Sequence, residues 1–164
     1  MPWYHINVTI HLLAAIFWLG GMFFLAAIGA RVLRRVEPPP LRAELFRRIG
    51  MQFRTFGWVA VGILLMTGVA NLYFKGLLHW SVLGDGEFWT SSYGLALVVK
   101  LGTVLAMLTL SAAHDFIVGP AASGMDPGSP QTRALRRRSA IVARINAVIG
   151  VGLVAAAVVL ARGA

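Results

Sequence analysis

Four long apolar segments limit the folds open to this 164-residue chain; they lie at roughly 7–33, 56–78, 92–118 and 139–161. Each has the about 20 residues that an α-helix needs to cross the roughly 30 Å hydrocarbon core of a bilayer. Only 13 % of the residues are charged, whereas soluble proteins have about 25 %. The sequence therefore predicts an all-α integral membrane protein, an antiparallel bundle of four transmembrane helices that forms a single domain over residues 1–164.

The basic residues are distributed unevenly, and their placement predicts the topology. Of the 15 Lys and Arg residues, 12 lie in or beside the connections after the first and third segments, within 31–54 and 133–144. By the positive-inside rule both connections are cytoplasmic and both termini are on the outer side. The net charge of +9 is then explained by topology and attraction to anionic lipid, and no nucleic-acid partner is expected. Residues 1–9 contain no Lys or Arg, so the first segment is predicted to be a retained helix rather than a signal peptide.

The connections have distinct compositions. Three prolines, Pro38 to Pro40, are predicted to end the helix that carries Arg34 and Arg35. Residues 41–54 place apolar side chains at helical spacing among arginines, which predicts an amphipathic helix at the inner interface or an inner extension of the second span. The outer connection 79–92 has interfacial aromatic residues and allows a short helix, whereas 119–132 is rich in Gly, Pro and Ser and is predicted to be a flexible loop.

Lys100 is a charged residue inside the third apolar segment. A charge there costs at least about 2.5 kcal/mol, and such residues usually face the interior of a bundle and mark a site. One face of the same helix carries further polar or polarisable residues at steps of three and four: Thr103, Met107, Ser111 and His114. We expect this stripe to face the bundle interior, either as a functional site or as a polar seam that fixes helix packing.

The four histidines fall into two groups by depth. His11 and His79 lie near the predicted outer surface, whereas His114, beside Asp115, is about 21 Å further along the helix from Lys100 and near the inner side. His11 and His114 therefore cannot bind the same ion. Each also has a structural alternative: a carbonyl-bonded core histidine for His11, an interfacial residue for His79 and a helix-end residue for His114. His5 is expected to be solvated.

Small and polar residues of the first two spans accompany this outer group. Trp18 shares a helix face with His11, and the pair Gly20 and Gly21 either leaves room for a planar cofactor or marks close helix contact. The second span carries polar residues at every fourth position: Thr67, Asn71, Lys75 and His79. We therefore expect His11 and Lys100 to flank one cavity in the outer leaflet.

The order of these motifs resembles a known family. The stretch from His11 through Trp18 to Gly21 is followed by Phe56 and Thr67-Gly68 in the second span. Lys100, His114-Asp115 and Gly119-Pro120 follow in the third. Over most of the chain this pattern resembles the copper-resistance D (CopD) proteins of bacterial inner membranes. His11 and Lys100 also resemble the essential histidine and lysine of the HemJ-type protoporphyrinogen oxidases, four-helix proteins that bind haem b.

Two cofactors fit these residues, copper and haem. The chain has no cysteine, and Cu(I) prefers thioether and imidazole ligands, which Met1, His5, His11 and His79 offer near the outer surface and Met22, Met66 and Met107 nearer the middle. The metal-ligand candidates are His11, His79, Met107 and His114. A haem would take His11 as axial ligand, Trp18 and Gly21 as walls and Lys100 as the partner of a propionate. A third hypothesis is a non-enzymatic auxiliary subunit of a larger membrane complex or homo-oligomer.

Single-cysteine variants test the topology, since the chain has no native cysteine. In intact cells a membrane-impermeant thiol reagent is expected to label Ser91→Cys, which lies in the predicted outer connection. Ser129→Cys is expected to react only after the membrane is opened. The reverse labelling pattern would contradict the predicted orientation.

Overall fold

A computed structural model describes residues 2–118 and 130–161, and they are helical over most of their length. Helix α1 (Pro2–Phe24) continues through a π-helical turn, Leu25–Gly29, into α2 (Ala30–Leu33). The long α3 (Pro39–Phe74) is followed by two short helices, α4 (Trp80–Leu83) and α5 (Gly86–Thr90). Helix α6 (Ser92–Ala112) ends in a second π-helical turn, Ala113–Val118, and α7 (Pro130–Ala161) completes the described chain.

Among the described residues, four helical stretches are long and apolar enough to cross a membrane: Pro2–Leu33, Pro39–Phe74, Ser92–Ile117 and Ala140–Ala157. Their large apolar side chains are mostly exposed, as expected where lipid is the solvent. The predicted all-α membrane class with four spans is confirmed, while the outer location of both termini stays a prediction. Several residues named above lie outside the described part of the chain, together with most of the predicted inner loop: Met1, Gly119, Pro120 and Ser129.

Helix α3 joins the amphipathic segment and the second span into one helix of 36 residues. Pro38 precedes it in an extended conformation, and prolines occupy its first positions, where no backbone N–H donor is needed. Of the two forms predicted for residues 41–54, the structure has the extension of the second span. Before the apolar part of α3, hydrogen bonds from the Arg47 and Arg48 side chains lower the pKa of Glu44 from 4.5 to about 2.

A glycine ends α3 earlier than the sequence pattern indicated. Gly76 has φ +71°, a left-handed conformation that favours glycine. Its N–H donates to the Tyr73 carbonyl at 2.9 Å, and the Leu77 N–H donates to the Leu72 carbonyl at 2.9 Å, which is the Schellman arrangement. The second span was predicted to end at roughly residue 78, to within a few residues, and the helix ends at Phe74 because this glycine terminates it. His79 therefore lies beyond α3 and precedes α4.

The chain forms two compact units, Met1–Gly84 and Asp85–Ala164. In the first unit α1 packs along α3. Tyr4 contacts Phe74, with ring centroids 6.1 Å apart, and Gly21 contacts Phe53. Since residue numbers rise along α1 as they fall along α3, the two helices are antiparallel. The single membrane domain predicted for the whole chain stays a prediction.

In the second unit α6 packs against α5 and α7. The Ser91 hydroxyl caps α6 by accepting a hydrogen bond from the Gly94 N–H at 3.1 Å, which satisfies a backbone donor of the first turn. Met107 of α6 is 1 % exposed, and Asn146 and Ala147 of α7 are buried. The α6–α7 interface is therefore close-packed around its middle turns.

Gly94→Ala tests the close approach of α5 and α6. An added Cβ would meet the Phe88 carbonyl and lie 2.9 Å from the Trp89 Cα, so backbone atoms would have to move. We expect a loss of stability of about 1–3 kcal/mol, measured as a lower midpoint of thermal unfolding in detergent micelles. Gly102→Ala is the control because nothing lies within 4 Å of its added Cβ; equal midpoints for the two variants would contradict the packing.

Candidate functional site

His11 of α1 contacts Thr67 of α3 across the helix interface. The imidazole Nδ1 lies 2.7 Å from the Thr67 hydroxyl oxygen. Thr67 is 8 % exposed, whereas His11 is half-buried. A Cβ added to Gly68 would lie 3.7 Å from His11 Cε1, so the ring rests against the backbone of α3. The sequence singled out both residues, and the structure brings them together.

Asn7 and Asn71 extend this polar contact by one helical turn. The Asn7 side-chain amide donates to the Thr67 carbonyl at 3.0 Å and to the Asn71 side-chain oxygen at 3.0 Å. The Thr67 hydroxyl also lies 2.6 Å from the Ile63 carbonyl of its own helix. Four polar side chains from two helices thus form one network inside an otherwise apolar helix pair.

Trp18 and Gly21, the predicted walls of a planar-cofactor slot, both pack directly on α3. A Cβ added to Gly57 would lie 3.7 Å from the Trp18 ring. A Cβ added to Gly21 would clash with the Phe53 ring. At Gly21 the structure therefore has the close helix contact that was the alternative to a slot.

A shallow groove of ≈ 210 Å³ lies beside this contact. Its walls include three residues of α1, Phe17, Gly21 and Phe24, and three of α3, Ile49, Phe53 and Phe56. Ligand pockets typically have about 300–1,000 Å³. The groove is therefore smaller than a typical ligand pocket, with the Phe53 ring against Gly21, and the role of Gly21 as a cofactor wall stays a prediction.

The other ligand candidates of the first unit lie apart from the His11–Thr67 contact. His79 is exposed and sits between α3 and α4, with its ring near Gly76. His5 is exposed on the first turn of α1, and Met66 is 68 % exposed. Because α3 ends before His79, the predicted polar path of Thr67, Asn71 and Lys75 does not continue to His79 on the same helix.

In the second unit the polar stripe of α6 is only partly buried. Met107 is enclosed, and the Ser111 hydroxyl accepts a hydrogen bond from the Asn146 side-chain amide of α7 at 2.8 Å. Lys100 and Thr103 are half-buried. The middle of the stripe therefore packs against α7, while the expectation that all of it faces a four-helix interior stays a prediction. The shared cavity of His11 and Lys100 also stays a prediction, since the two residues belong to different units.

His114 lies in the π-helical turn after α6 and contacts its neighbour Asp115. The imidazole Nδ1 is 2.8 Å from an Asp115 carboxylate oxygen, and both side chains are partly exposed. Within residues 2–118 and 130–161, no three His, Asp or Glu side chains lie close enough together to hold a metal ion. His114 and Met107 remain predicted ligands without an assembled set around them.

Sequence reasoning missed Asn7 and Asn146. Asn7 lies four residues before His11, the spacing that places two side chains on one helix face, and this signal would have found it. Asn146 lies two residues after Arg144 in the fourth apolar segment and is 4 % exposed. Its carbonyl oxygen has no hydrogen-bond partner among the described residues. A polar residue in an apolar span is itself a signal of an interhelical contact.

The fold and the site define a small all-α membrane protein with an imidazole held at the interface of its first two long helices. The chain matches the copper resistance protein D family over residues 47–160, more than half of its length, and belongs to that family. The predicted resemblance is thus confirmed. Family membership and the four apolar helices make it a multi-pass protein of the bacterial inner membrane. The matched range includes Thr67 but begins after His11.

Two relatives are similar to parts of the chain. An uncharacterized protein of Aquifex aeolicus (strain VF5) is 31 % identical over 111 residues, which are 67 % of this chain and 66 % of the relative. The copper transport protein CutJ of Bacillus subtilis (strain 168) is 30 % identical over 105 residues, which are 64 % of this chain and 17 % of CutJ. The chain thus spans just under two thirds of the first relative and a small part of the second. No solved structure matches the chain.

Gly21→Ala distinguishes a helix contact from a cofactor wall. An added Cβ must displace the Phe53 ring, so we expect the protein without cofactor to lose about 1–3 kcal/mol of stability. The measurement is chemical or thermal unfolding in micelles. Gly20→Ala is the matched control, since nothing lies within 4 Å of its added Cβ. If Gly21→Ala were as stable as Gly20→Ala, Phe53 would not pack there.

Proposed function

We propose that the protein binds copper within the membrane and takes part in copper transport, with His11 as an imidazole ligand. Membership of the copper resistance protein D family and similarity to a protein named as a copper transport protein support the copper chemistry. The observation that carries the assignment to His11 is its 2.7 Å contact with Thr67. Metal-binding histidines usually have their second ring nitrogen held by a hydrogen bond in this way.

The position of His11 suits a metal that moves through the bilayer. Imidazole is a ligand of copper that carries no charge when neutral, so it adds no buried charge to the helix pair. His11 lies nine residues after Pro2, about 14 Å along α1, and near the outer surface in the predicted topology. A thioether is the second ligand type that Cu(I) favours. Met22 is half-buried on the same helix, but it lies about 16 Å further along α1 and would bind copper at a separate point of the path.

Haem is the second candidate ligand, and it would use the same imidazole. An axial histidine is the main ligand that haem iron takes from a protein, and His11 is already oriented by Thr67. The resemblance to the HemJ-type oxidases makes Lys100 the counterpart of an essential lysine, and as a cation Lys100 would pair with a propionate. Against this, the surface of Gly21 is covered by Phe53. Copper therefore remains the primary proposal.

His11→Ala tests the assignment in purified protein. If His11 is a copper ligand, we expect His11→Ala to bind Cu(I) at least about tenfold more weakly than the wild type, because one ligand is removed while the helix pair stays intact. The measurement is competition with a chromogenic Cu(I) chelator in micelles. Leu12→Ala, at the adjacent exposed position, is the control and is expected to bind as the wild type does. Equal affinity of the His11→Ala and wild-type proteins would contradict the assignment.

An absorption spectrum of the same samples separates the two ligands. A Soret band that His11→Ala abolishes and Lys100→Met weakens would favour haem over copper. A protein that takes up neither haem nor copper would contradict both and favour the auxiliary-subunit hypothesis.

A further inference from the structure

We propose that Thr67 and Asn7 are positioning residues that hold His11 in the neutral tautomer protonated at Nδ1, so that Nε2 is its metal-binding atom. The part of this inference that concerns metal binding rests on the proposed function. The part that concerns the tautomer is a property of the metal-free protein, so the two parts can be tested separately.

The tautomer follows from the single proton of the Thr67 hydroxyl. That oxygen lies 2.6 Å from the Ile63 carbonyl and 2.7 Å from His11 Nδ1. A carbonyl oxygen can only accept, so the hydroxyl donates its proton to Ile63. The same oxygen must then accept from the imidazole, which requires a proton on Nδ1. With the proton on Nε2 instead, two lone pairs would face each other at one of these two short contacts.

Asn7 holds Thr67, whose hydroxyl determines the tautomer of His11, in place. Its side-chain amide has two N–H donors, and the structure gives each an acceptor: the Thr67 carbonyl and the Asn71 side-chain oxygen. Both acceptors are on α3, while Asn7 is on α1, four residues from His11. Asn7 therefore fixes the register of α1 on α3 next to the His11–Thr67 hydrogen bond.

The consequence is that Nε2 of His11 is available as the metal-binding atom already in the metal-free protein. In the Nδ1-protonated tautomer Nε2 carries the lone pair, so a metal can bind without a change of tautomer. Copper ions and haem iron both bind a neutral imidazole nitrogen. The shared chemistry is a metal centre that accepts imidazole Nε2, and the experiment uses Cu(I) alone and haemin alone as separate probes.

Long-range ¹H–¹⁵N NMR of the full-length, metal-free protein in micelles reads the tautomer directly. The ¹⁵N shifts of an imidazole differ between its protonated and unprotonated nitrogens, and the signal lost in His11→Ala assigns His11. We expect Nε2 of wild-type His11 to have the shift of an unprotonated nitrogen at a pH where the ring is neutral. Thr67→Val, which removes the acceptor at similar volume, is expected to move His11 towards a mixture of tautomers.

Two further variants make the NMR result specific. Thr67→Ser keeps the hydroxyl and is expected to retain the wild-type shifts. Thr55→Val is the matched control, because the Thr55 hydroxyl makes the same kind of bond to a carbonyl four residues earlier in α3, to Met51 at 3.2 Å. It is expected to leave His11 unchanged. Wild-type His11 protonated at Nε2, or a Thr67→Val spectrum identical to the wild type, would overturn the inference.

Metal binding supplies the second readout. Loss of an orienting partner typically lowers metal affinity about 10- to 100-fold, so we expect Thr67→Val to lose that much for whichever probe, Cu(I) or haemin, the wild type binds. Thr67→Ser is expected to restore it. Unchanged affinity in Thr67→Val would overturn the positioning role. If the NMR shifts agree with the inference but neither probe binds the wild type, the tautomer assignment stands and the proposed function fails.

Discussion

The hydrocarbon core of a bilayer offers no hydrogen-bond partners, so polar groups within it must find partners in the protein. This constraint accounts for the polar contacts between the long helices of each unit. In the first unit Asn7 and His11 of α1 pair with Asn71 and Thr67 of α3. In the second unit Ser111 of α6 pairs with Asn146 of α7. Most large apolar side chains face outwards because lipid is a suitable solvent for them, while a few, such as Met107, are buried where the helices pack together.

Much of the fold could be predicted because it depends on local properties. The length of the apolar segments determines the four spans, and the prolines at 38–40 mark the start of α3. The exact end of the second span could not be predicted, because polar residues at every fourth position continue to His79, beyond the end of the helix. The Gly76 backbone conformation ends the helix first. A glycine within an apolar segment can pack, bend or terminate a helix, and only the structure distinguishes these roles.

The candidate site was harder to predict because it depends on pairings between distant residues. His11 and Thr67 were both chosen from their own helices, but their contact needs the register of α1 on α3, which no single helix encodes. The role of Gly21 depends on the aromatic ring of Phe53, one of many apolar residues in α3. Asn7 and Asn146 were not predicted as site residues, because each is a single amide among apolar residues. In a membrane such an amide indicates a contact between helices.

The continuity of α3 has a mechanical consequence. Its 36 residues span about 54 Å, well beyond the roughly 30 Å hydrocarbon core, so one rigid rod carries the arginine-rich turns near Arg47 at one end and Thr67 towards the other. Thr67, whose hydroxyl contacts the imidazole of His11, is therefore joined without a break to the Arg47 turns, about 30 Å away along the same helix. A displacement of α3 along its axis must also be accommodated at the hydrogen bonds that Asn7 and His11 make with it.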